Sequence, residues 1–274
     1  MRKIVFSVLL FLFLILCFIF NKYDLDISIS LTKYYNNFFE FLDDFGELPI
    51  YFGPILFGTV YFCLFKEKYQ KVLCLLVSFL AYLIAFIKVV HNMDYSYSLF
   101  NIGLCLISAL LFSILTVYLF SKFKNSTLEI IKDIAILGVI VTVISFISTE
   151  MLKYLWGRVR FRDLSSDYSE FTRLLEINGL NGHKSFPSGH TNAGTSILLI
   201  ALIVPRFSDK KWLKYLVTVL CFSYIFILAI SRIIVSAHYA SDVLCGFVVG
   251  FTTLCVTYSV LKRKGVINVT SNKC

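Results

Sequence analysis

Ser185-Phe186-Pro187-Ser188-Gly189-His190 stands where a polar loop meets an apolar run at 191–204. A Pro-Ser-Gly step ahead of such a run predicts a helix start with Ser188 as its N-cap. A helix start offers free backbone N–H groups and the positive end of the helix dipole, a setting that suits an anion. Gly189 lets the backbone come close to a ligand, and His190 can move a proton near neutral pH. Taken alone, the stretch reads equally well as a plain capped helix. The rest of the chain decides between the two.

Outward from that stretch, the chain is dominated by apolar runs. It is 58% hydrophobic, 17% aromatic and only 16% charged, and its mean hydropathy is +0.80. Soluble domains do not have this composition, and an integral membrane protein does. Runs at 4–20, 50–65, 72–90, 99–120, 134–151, 188–204, 212–231 and 240–261 are each about long enough to cross a ~30 Å apolar core as a helix. The expected fold is therefore an all-α polytopic transmembrane bundle of about eight spans, with six or seven as alternatives. The run at 50–65 carries Pro54 and also fits a re-entrant segment. The first run is followed by Ile19-Phe20-Asn21-Lys22, without the small residues of a cleavage site, so it is expected to stay as a span. Residues 28–47 set Leu31, Tyr34, Phe38, Phe41 and Phe45 three or four apart among Lys33, Glu40, Asp43 and Asp44. This pattern predicts an amphipathic helix lying along the membrane surface, with packing on the bundle as the alternative.

The net charge of +9 does not point to nucleic acid, because the cations cluster between apolar runs. With the N-terminus in the cytoplasm, sixteen Lys and Arg fall on that side and nine on the other, with Lys88 inside a run. The bias puts both termini in the cytoplasm and the loop bearing Ser188 and His190 outside. Seven of the eight cysteines lie in apolar runs and Cys274 ends the chain, so neither a disulfide framework nor a zinc site is expected. The chain divides into N-terminal spans with the amphipathic helix (1–130), a core at 131–265 and a short cytoplasmic tail at 266–274.

The outer cations stand at the mouths of spans. Lys153 and Arg160 are seven residues apart, two helical turns, and lean to one side if the helix continues. Arg232 ends another run in Ser231-Arg232-Ile233-Ile234-Val235-Ser236-Ala237-His238-Tyr239-Ala240-Ser241-Asp242. Each cation alone is a snorkelling residue. His238 and Asp242, four apart, share a face if helical, and the carboxylate then orients one ring nitrogen and frees the other. Two histidines, an anion-binding helix start and three cations together suit phosphoryl transfer without a metal.

Lys153-x6-Arg160-Phe161, Pro187-Ser188-Gly189-His190 and Ser231-Arg232-x5-His238-x3-Asp242 resemble the three-part signature of the type-2 phosphatidic acid phosphatase family. The resemblance covers roughly residues 134–261. It implies a six-helix catalytic core, here preceded by two extra spans. His238 would attack phosphorus, with Asp242 orienting it. His190 would protonate the leaving oxygen and later activate water. Lys153, Arg160, Ser188, Gly189 and Arg232 would hold the phosphate oxygens. Phe161 stands where the family usually has proline, a change expected to loosen the following turn while removing no phosphate ligand. Arg158, Arg162, His183 and Lys184 are near enough to contact a headgroup, but read better as solvated loop residues.

The expected activity is hydrolysis of a lipid phosphate or diphosphate at the outer leaflet of the cell membrane, through a phosphohistidine. Undecaprenyl diphosphate, phosphatidylglycerol phosphate, phosphatidate and lipid A phosphates all fit, and phosphate transfer to another acceptor is a related alternative. No cofactor, metal, nucleic acid or obligate protein partner is expected. A transporter would need ionisable groups deep in the spans, which only Lys88 and Glu150 approach. A haloperoxidase would hold vanadate in a resembling site but is typically not a membrane bundle.

Overall fold

The computed structural model describes residues 2–93 and 98–267, with backbone alone at 2–6 and 9, so most of the expected tail at 266–274 and Cys274 lie outside the described residues. Every regular element among the described residues is helical: α1 Arg2–Leu31, α2 Asn37–Phe45, α3 Pro49–Leu64, α4 Lys68–Asn92, α5 Leu99–Phe120, α6 Asn125–Trp156, α7 Gly189–Gly194, α8 Leu198–Ile203, α9 Lys211–Ile234 and α10 Ala240–Arg263, with short 3-10 turns between some of them. Among the described residues, six segments are long and apolar enough to cross a membrane: Asn37–Leu64, Lys68–Asn92, Leu99–Phe120, Asn125–Asp163, Lys211–Ile234 and Ala240–Arg263. Their outward faces expose Leu106, Ile107, Leu111, Val219 and Phe226. That belt is suited to acyl chains rather than water.

The other two expected runs are also helical. The first run lengthens into α1, which continues beyond its apolar part and buries Asp24 and Ser28 completely. The run at 188–204 is broken into α7, a 3-10 turn at Thr195–Ile197, α8 and a second 3-10 turn at Val204–Arg206. Its polar side chains compete with the helical ladder: Thr195 Oγ1 donates to the Asn192 carbonyl at 2.7 Å, and Asn192 Nδ2 to the Ser145 carbonyl at 3.1 Å. α3 passes through Pro54 as one helix, so the re-entrant alternative is not realised.

Of the two readings of 28–47, packing on the bundle is realised and the surface helix is not. The segment ends α1, makes a 3-10 turn at Thr32–Tyr34, and restarts as α2 under an Asn36 cap that accepts the Phe38 and Phe39 N–H groups at 3.0 and 3.3 Å. α2 then packs on α4 and α9. Polar ties explain why it folds inward: Asn92 Nδ2 donates to the Asp44 carbonyl at 3.1 Å and the Tyr224 hydroxyl to the Gly46 carbonyl at 2.8 Å.

Two of the three apolar clusters among the described residues centre on α6. Ile134, Leu137 and Val141 of α6 meet Leu198 and Leu199 of α8, Cys221 and Ile225 of α9, and Leu254 of α10. Leu56 and Val60 of α3 meet Leu128, Ile131 and Ala135 of α6. Toward the start of α6, Arg206 Nη2 pairs with Asp133 Oδ2 at 2.9 Å. The end of α6 and of α9 and the starts of α7 and α10 lie together, and there the polar residues gather.

Candidate active site

α6 stops at Trp156 because Gly157 takes a left-handed φ of 52° and returns its N–H to the Lys153 carbonyl at 3.1 Å. The helix therefore does not carry Lys153 and Arg160 on one face, as their spacing suggests. Lys153 leans from the last turn, where it bonds Glu150 Oε1 at 2.9 Å, while Arg160 arrives on the following loop. That loop is pinned: Ser185 N–H donates to the Arg158 carbonyl at 2.9 Å and Arg162 N–H to the Ser236 carbonyl at 3.0 Å. Phe161 does not loosen it. The ring stacks on Tyr168 at 5.9 Å and meets the edge of Tyr239 at 6.3 Å.

The start of α7 has the expected cap, with Ser188 Oγ accepting the Thr191 N–H at 3.3 Å. Ser188 is fully buried, and its own N–H donates to the Asp242 carbonyl at 3.0 Å. Gly189 lies against Lys153, whose Nζ would stand 3.2 Å from any added Cβ. A side chain there would crowd the lysine out of the cavity.

After α9 the chain turns through Ser236 at a φ of 62°, and the Ala237 and His238 N–H groups both donate to the Arg232 carbonyl at 3.1 Å. His238 thus precedes α10 instead of sharing a helical face with Asp242. The pair still meets: His238 Nδ1 is 3.7 Å from Asp242 Oδ2, a contact longer than a hydrogen bond. Burial, reinforced by the Arg232 guanidinium, lowers His238 to about 4 against the opposing pull of Asp242. The ring is neutral at neutral pH and keeps a lone pair.

Lys153, Arg160, Gly189, His190, Arg232 and His238 line one cavity of about 420 Å³, with Arg162 at its exposed edge. Ser188 and Asp242 do not line it: one caps α7 and the other stands behind His238. The opposite wall is acidic and comes from α2 and the turn after it. Asp43 pairs its carboxylate with Arg232, and its carbonyl accepts His190 Nε2–H at 2.9 Å. Glu47 Oε2 lies 3.6 Å from His190 Nδ1, and Glu47 Oε1 lies 3.5 Å from Lys88 Nζ.

Behind His238 is a closed polar network. Asp242 Oδ1 accepts Arg158 Nη1 at 2.7 Å, and Oδ2 accepts the Ser185 hydroxyl at 2.6 Å and the Tyr239 N–H at 3.0 Å. Arg158 Nη2 reaches Asp24 Oδ2 of α1 at 2.9 Å, and its Nε donates to the Thr172 carbonyl at 2.9 Å. Arg158 also sits over the Tyr239 ring at 4.1 Å.

Residues 133–265 match the PAP2 superfamily. That stretch, 133 of the chain's 274 residues, is similar to PAP2 superfamily domains. Two proteins described as lipid A 1-phosphatase, from Rhizobium johnstonii and Rhizobium etli, are each 32% identical to it over 126 residues. The match takes in 46% of this chain and 47% and 49% of theirs, so the chain spans about half the length of the curated relatives it matches. No solved structure matches.

Every site residue read from the sequence lies inside the PAP2-like stretch. The groups that reading missed fall in two places. Arg158, expected to be a solvated loop residue, is instead completely buried. Asp24, Asp43 and Glu47 stand before the PAP2-like stretch, on α1, on α2 and just after it. The available signal for Asp24 was an acid just past an apolar run, in Lys22-Tyr23-Asp24; for Asp43 and Glu47 it was the acidic face of the amphipathic segment.

Proposed function

We propose that this chain is a membrane phosphatase that hydrolyses a lipid phosphate at the outer leaflet of the cell membrane, with both termini in the cytoplasm. The observation that carries the reading is the meeting of Lys153, Arg160, Gly189, His190, Arg232 and His238, from three separate stretches of sequence, around one cavity at the mouth of the helices. A lipid's phosphate lies at that depth while its acyl chains stay beside the apolar belt.

The steps follow from the groups present. Lys153, Arg160, Arg232 and the free N–H groups at the start of α7 take the non-bridging oxygens and offset their charge. His238 Nδ1 faces Asp242, leaving Nε2 to attack phosphorus. The bond from phosphorus to the lipid oxygen breaks, and His190, entering the step as the imidazolium, gives that oxygen its proton. Burial and the Arg232 guanidinium hold its pKa well below the ordinary value in the free cavity, and the charge of a bound phosphate raises it. Water then gives a proton to His190 and attacks the phosphohistidine, releasing inorganic phosphate and restoring both rings. Ser188 serves the site by shaping the start of α7.

The names of the two Rhizobium relatives make a lipid A 1-phosphate the first substrate to try, beside undecaprenyl diphosphate, phosphatidylglycerol phosphate and phosphatidate. Purified protein should release phosphate from at least one of these, with and without EDTA, because cations occupy the place of a metal. Silence across the panel would overturn the reading, and activity lost to EDTA and restored by a divalent ion would overturn the metal-free chemistry. For sidedness, Ser166→Cys should react with an impermeant thiol reagent on intact cells and Asp209→Cys should not. The reverse pattern would place the site inside.

A further inference from the structure

Asp24, Arg158 and Asp242 form a trio in which all three side chains are completely buried. Burying ions is costly, and an apolar replacement of similar volume is often as stable or more so. Stability therefore does not account for this trio. Its charge does: two carboxylates and one guanidinium leave a net charge of minus one behind His238. Arg158 and Asp242 alone would be neutral and would do little for a cation forming on the imidazole.

We infer that Asp24, on a helix outside the PAP2-like stretch, is a positioning residue that keeps Asp242 electrically effective toward His238. The inference rests on the reading of His238 as nucleophile. As Nε2 bonds to phosphorus and the lipid oxygen leaves, the ring becomes positively charged, and Asp242 Oδ2 is the carboxylate oxygen near it, 3.7 Å from Nδ1. The other oxygen is engaged by Arg158 at 2.7 Å. By taking the second arm of that guanidinium at 2.9 Å, Asp24 divides its charge between two acids. Asp24 Oδ1 also accepts the Ser241 N–H at 2.9 Å, which fixes the first turn of α10 one residue before Asp242. The first helix thereby becomes part of the catalytic unit.

The test uses the full chain in detergent with an aryl phosphate, following kcat, KM and the phosphohistidine. Asp24→Asn removes the surplus charge and should lower kcat by about 10–100-fold, the scale seen when the partner of a metal-bound imidazole is removed, with KM unchanged. Asp24→Asn combined with Arg158→Gln restores a net charge of minus one and should regain part of that kcat. A folded Asp24→Asn protein with wild-type kcat would overturn the proposal. So would a double variant slower than the single one, since that is the signature of lost hydrogen bonds alone. If neither variant folds, Asp24 is only a structural anchor and the proposal falls. Absence of a phosphohistidine on His238 in the wild type is a different failure, because it removes the underlying reading whatever the variants do.

Discussion

The two histidines of the cavity are supported in opposite ways. His238 is backed by a carboxylate whose oxygens are taken up by Arg158, Ser185 and the Tyr239 N–H, all deep in the bundle. His190 faces α2 and its following turn, and it keeps 13% of its side chain exposed against 3% for His238, beside Asp43 at 26%. A nucleophile must hold one ring orientation through the attack, so a closed support suits it. A proton carrier must exchange with water between steps, so a less closed support suits it. The contrast fits the proposed roles, His238 as nucleophile and His190 as proton carrier.

The sharpest way to break that contrast is to remove each ring. His238→Ala should abolish phosphohistidine formation altogether, checked by acid-labile radiolabel after a quench. Next in size is Asp242→Asn, which leaves the ring misoriented and can cost up to about 10⁴-fold. His190→Ala should cost about 10²–10⁴-fold on an alkyl phosphate, whose alkoxide leaves poorly without a proton, and much less on an aryl phosphate. Equal slowing of both substrates, together with a phosphoenzyme surviving in His238→Ala, would exchange the roles.

The same contrast marks what the sequence made legible. The cationic half was readable because Lys153, Arg160, His190, Arg232 and His238 stand at fixed spacings beside turn residues, and short-range spacing survives folding. Some local geometry was still misread: Gly157 ends α6 before Arg160, and Ser236 turns the chain before His238. Arg158 was misassigned because a guanidinium two residues from a site cation looks solvated unless its partners are known. Asp24 lies 134 residues from Arg158, so nothing local announces their pairing. The segment at 28–47 was read by its amphipathic period, which cannot say whether its polar face meets water or a cationic cavity.

Asp43 gives a smaller effect of opposite sign. Its carboxylate sits on Arg232, where a phosphate oxygen is expected, so an incoming phosphate has to replace it. Asp43→Ala should therefore lower KM and the inhibition constant for vanadate, by about tenfold, equivalent to ~1.4 kcal/mol. A raised KM would show that Asp43 orients Arg232 for the phosphate rather than competing with it.

The smallest effect needs no substrate and asks whether the support of His238 is as closed as its contacts imply. The fold favours the neutral ring, with His238 at about 4 against an ordinary value near 6.5. As pH falls the unfolded chain takes up its proton first. This contribution to stability is intact above about pH 6.5 and is lost progressively down to about pH 4. Between about pH 7.5 and about pH 5 it amounts to ~2 kcal/mol, or a few degrees in Tm. His238→Asn cannot bind that proton, so its Tm should fall less over the same interval, while other titrating groups affect both proteins alike. Parallel Tm profiles would mean that water reaches His238 in the resting protein. The imidazole would then be as open as His190, and the structural ground for giving the two rings different roles would be gone.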